Sequence, residues 1–162
     1  MATTLDRIEL TSATLFEALQ GLATDIKADM GRIDRLGGEP TEAQLGRLRN
    51  KVLEFQGLMA VLDKMLSQTR KGGAFVREIV GGIANQILTR SLSYETAHVT
   101  RLERANSVPL FGAVTFARDL AQLDRLADQV PSRPAELDAQ VSAARSTLRN
   151  LIKRCPQIPD FG

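Results

Sequence analysis

Apolar residues recur at three- and four-residue steps through the first 36 positions: Leu5, Ile8, Leu15, Leu19, Leu22, Ile26, Met30, Ile33 and Leu36, with Ser12 standing in the one gap. Such steps keep side chains on one side of a 3.6-residue helix, whereas a strand would need strict alternation. The pattern predicts one uninterrupted helix with a coiled-coil-like stripe. At 1.5 Å per residue that helix is roughly 48 Å long, too long to sit inside a small globule, so it has to form a wall.

Gly37-Gly38-Glu39-Pro40 stops it, because glycine accepts the left-handed cap and proline cannot continue a helix. Thr41-Glu42-Ala43-Gln44 has the spacing of a capping box and predicts a second start. The new stripe is Leu45, Leu48, Val52, Phe55, Met59, Leu62, Leu66 and Thr69, ending at Arg70-Lys71-Gly72-Gly73. Two long helices joined by about five residues must be antiparallel neighbours. Charge agrees: residues 1–36 hold four basic and six acidic side chains, residues 42–71 six and three.

Beyond the hairpin, Phe75, Val76, Ile79, Val80, Ile83, Ile87, Leu88 and Leu92 spread over a wide arc, which predicts a central, well-buried helix reaching to about Ala105. Gly81-Gly82 lies inside it, implying either a close backbone approach or a bend. A break at Ser91 to Ser93 is a further option, with Tyr94, Val99 and Leu102 on the face of the next helix. Asn106-Ser107-Val108-Pro109 reads as a turn, and Phe116, Leu120, Leu123, Ala127 and Val130 line the helix after it. Pro131-Ser132-Arg133-Pro134 breaks that helix, and Leu137, Val141, Ala144, Leu148 and Leu151 or Ile152 line the last one.

The expected fold is therefore all-α: an antiparallel helical bundle built on a long N-terminal helical hairpin, about five helices in all. Its 162 residues are the size of one domain, expected over 1–155 with an irregular tail at 156–162. No Trp, one Tyr and six Phe leave few β-favouring aromatics. A single cysteine, Cys155, excludes an intramolecular disulfide and fits a reducing, cytoplasmic setting. Neither a signal peptide nor an apolar run of membrane-spanning length is visible. The Ala- and Arg-rich composition is compatible with a bacterial or phage origin.

The chemistry-bearing residues are few. His98 is the one base of the usual neutral-pH kind, and Cys155, the one thiol, lies in another segment and reads as a small buried hydrophobe. Glu95-Thr96-Ala97-His98 has the Glu-x-x-His spacing of carboxylate-bridged di-iron bundles, yet such a site needs the motif twice, and only a symmetric dimer supplies the second copy. His98 with Arg101 also resembles the exposed histidine and nearby cation of four-helix phosphotransfer domains. The resemblance covers those two residues, and Leu102 stands where small residues are expected. The expectation is no enzyme, no cofactor, no metal and no small-molecule substrate.

Arg145, Arg149 and Lys153, four residues apart, with Arg154 beside them, form the best candidate contact for a polyanion. Arg47, Arg49 and Lys51 form a second cluster. No aromatic residue interleaves with them, and 21 basic against 19 acidic residues is close to balance. The leading expectation is a non-enzymatic helical interaction protein, an adaptor, assembly or regulatory subunit that binds a protein partner or itself through apolar helix faces. The reason is that the two long seams outrun the two shorter helices that have to cover them. The alternative is a nucleic-acid-associated accessory subunit contacting phosphates through basic helix faces.

Overall fold

The structure is a computed structural model describing residues 4–68, 72–105 and 112–155, and of residues 4–10 the backbone alone. Among the described residues there are five helices: α1 (Thr4–Arg35), α2 (Glu42–Leu66), α3 (Gly73–Ala105), α4 (Gly112–Gln129) and α5 (Ala135–Arg154). The all-α expectation holds, with no strand among the described residues. None of these helices is long and apolar enough to cross a membrane. The expected turn at Asn106–Pro109 and the tail at 156–162 lie outside the described residues.

Contacts divide the chain into two compact units. One comprises Met1–Gly37 and Glu42–Leu88, the other Gly38–Thr41 and Thr89–Gly162. In the first unit α1 packs on α2. Leu19, Ala23, Ile26, Met30 and Ile33 bury one face of α1, and Leu45, Leu48, Val52, Phe55, Leu62 and Leu66 the matching face of α2. Gly37 and Gly38 take positive φ of 99° and 83°, the left-handed stop that their position implied. Gly72 does the same ahead of α3 at 78°, and there Arg77 donates to the Asp63 carbonyl near the end of α2 at 3.1 Å.

Opposite charges hold the hairpin in register. Lys51 on α2 lies 2.7 Å from the Asp29 carboxylate and 4.0 Å from Asp25, both on α1. The hydrogen bond from Lys51 outweighs the penalty of partial burial and, with the charges of Lys51, Arg32 and Arg47, holds the Asp29 carboxyl below its ordinary range. A carboxyl with a lower pKa folded than unfolded stabilises the fold above its unfolded pKa. That contribution disappears as pH falls through the folded value. Asp29→Asn is thus expected to be less stable at neutral pH and to lose less stability than the native chain between about pH 5 and about pH 1. Equal slopes of unfolding free energy against pH in the two proteins would refute this.

Four readings of the sequence are corrected. The long seams are not left bare: their described positions are buried or half-buried within the chain except Leu36, so spare apolar surface has to be sought off the seam. α3 does not break at Ser91–Ser93; Ser91 and Leu92 are buried, and tertiary burial overrides the weak preference of serine for a helix end. Nor does a neighbouring backbone press on Gly81 or Gly82, where an added Cβ meets nothing within 4 Å. The wide arc of α3 is shifted as well. Phe75 is 68% exposed, and burial on nearly all sides falls instead on Ser91, Leu92, Tyr94, Glu95, Thr96, His98 and Val99.

In the second unit α4 packs on α5, with Phe116, Leu123, Leu126 and Ala127 meeting the inward face of Leu137, Val141, Ala144, Leu148 and Leu151. Arg133 fixes the turn between them. It donates to the Ala127 and Val130 carbonyls at 2.6 and 3.0 Å, closing the end of α4, and to the Asp138 carboxylate in the first turn of α5 at 2.8 Å.

Candidate interaction surface

α2 is amphipathic on its inner side only. Opposite Leu48, Val52 and Phe55, a helix at the surface ordinarily carries charged side chains. Here the outer face reads Gly46, Asn50, Leu53, Gly57, Ala60, Val61, Lys64, with the exposed acids Glu54 and Asp63 beside it. Leu53 is 53% and Val61 48% exposed, so two branched aliphatic side chains meet water on either side of a glycine. An added Cβ on Gly46 or Gly57 meets nothing within 4 Å, which leaves an open, shallow track along the helix.

A groove of about 310 Å³ runs beside this face, in the same unit, between the end of α2 and the start of α3. Met59, Ala60, Leu62, Leu66, Val80 and Gly81 line it, so its floor is apolar. Its polar edge is the Asp63–Arg77 ion pair at 2.9 Å, whose side chains are 66% and 42% exposed. An ion pair that open to water contributes little stability. Volume and lining suit a few aliphatic or aromatic side chains.

His98 lies at the opposite extreme. It is 5% exposed, its Nε2 is 3.3 Å from Oδ2 of Asp119 on α4, and Asp119 is 4% exposed. Its Nδ1 is buried without a hydrogen-bond partner. Phosphoryl transfer requires an imidazole that a donor can reach, so the likeness to phosphotransfer domains fails at this residue. Glu95, one turn earlier, is buried as well, and among the described residues no three His, Cys, Asp or Glu side chains gather to hold a metal ion. Cys155 is buried, and its thiol donates to the Leu151 carbonyl at 3.2 Å. These groups bear on packing and reach no shared space.

The basic stripe of α5 is divided in use. Arg145, half-buried, donates through Nε to Asp124 of α4 at 2.6 Å, which joins the two helices. Arg149, Lys153 and Arg154 are exposed. Lys153 and Arg154 line a shallow groove of about 450 Å³ with Thr147, Asn150 and Leu151, but Glu103 faces the same space and opposes an anion. In the other cluster Lys51 is engaged with Asp29, and Arg47 adds its charge to the same carboxylate. What sequence reasoning missed is the outer face of α2. The signal was present in Leu53 and Val61, apolar residues that fall off the helix's own three-four seam.

In comparisons with protein-family models, curated proteins and solved structures, nothing matches this chain.

Proposed function

We propose that this chain is a non-enzymatic helical interaction protein, an adaptor, assembly or regulatory subunit that acts through the apolar outer face of α2 and the groove beside it. One observation carries the reading: Leu53 and Val61 stand half in water around Gly57 while the seam residues of the same helix are already covered. Apolar surface gains about 25 cal/mol for each Å² removed from water, and none of the described residues covers this face. Reading His98 and Cys155 as packing groups supports the non-enzymatic part. Polyanion contact is the lesser reading, because Arg145 is held by Asp124 and Glu103 shares the groove of Lys153 and Arg154.

The test is immobilised native chain against a Leu53→Asp/Val61→Asp variant, each exposed to extract of its own host. Both positions are exposed, so the variant keeps native helix content by circular dichroism. A protein retained in stoichiometric amount by the native chain and lost from the variant is the expected result. Equal retention by both, or by neither, would overturn the assignment of this face.

A further inference from the structure

We draw no further inference here: the strongest candidate, the apolar groove between the end of α2 and the start of α3 with the outer face of α2 at Leu53 and Val61 beside it, belongs to the interaction surface already described, and nothing in the structure shows what covers it.

Discussion

Replacing His98 with alanine is expected to lower the free energy of unfolding by about 3 kcal/mol, the cost of a buried polar contact broken from one side together with the cavity it leaves. The substitution takes Nε2 from the Asp119 carboxylate, leaves that group 4% exposed without its imidazole, and opens a cavity between α3 and α4. Set against a total stability of about 5–15 kcal/mol for a domain of ordinary size, the loss is a large fraction. His98→Gln, which keeps an N–H for Asp119, should lose less, and His98→Leu with Asp119→Leu should lose less than the sum of the two single changes. Urea unfolding followed by circular dichroism reads all five variants, the two single leucine changes included. A drop under about 1 kcal/mol for His98→Ala would mean that the pair holds nothing together, and a role for His98 outside packing would reopen.

The second large effect has the opposite sign. Gly21, Gly81 and Gly82 lie within helices, and an added Cβ at each meets nothing within 4 Å. Alanine is better than glycine in a helix interior by about 1 kcal/mol, partly because it restricts the unfolded chain, so the triple alanine variant should gain about 3 kcal/mol. For a chain of this length that raises the melting midpoint by roughly 6–12 °C. Gly37→Ala and Gly72→Ala supply the contrast. Those glycines sit at φ of 99° and 78°, where a Cβ is strained, and each change should destabilise by roughly 1–2 kcal/mol. Calorimetry on the two sets decides the matter: a triple variant melting at or below the native chain would show that these helix positions are closed to side chains.

The hairpin was readable because its information is local. The three-four spacing of Leu19, Ile26, Met30 and Ile33 specifies a helix face whatever it packs against, and Gly37-Gly38-Glu39-Pro40 stops a helix through backbone sterics alone. The antiparallel pairing of α1 and α2 followed from a linker too short for anything else, and Lys51 meets Asp29 as the charge difference implied. What stayed hidden depends on partners distant in sequence. Nothing near Arg145 tells that Asp124 will take it, nothing near Arg133 that the Ala127 and Val130 carbonyls need a donor, and nothing near His98 that Asp119 arrives from α4. The serines at 91 and 93 misled for a related reason: their preference for helix ends is small, and burial of the flanking residues outweighed it. Of the candidate surface, Leu53 and Val61 were visible as apolar residues out of phase, but the groove was not, since it needs the end of α2 and the start of α3 side by side.

That the seam of α2 is closed before any partner arrives has a consequence for how association proceeds. Leu48, Val52 and Phe55 face inward and stay there, so a visitor at Leu53 and Val61 meets a finished molecule and asks for no rearrangement. Under the proposed reading, recognition would be a meeting of preformed surfaces, without the ordering entropy that couples folding to binding in disordered segments. The residues proposed to meet a partner and those that maintain the architecture sit on opposite sides of one helix. Substitutions can therefore exchange the former without endangering the latter.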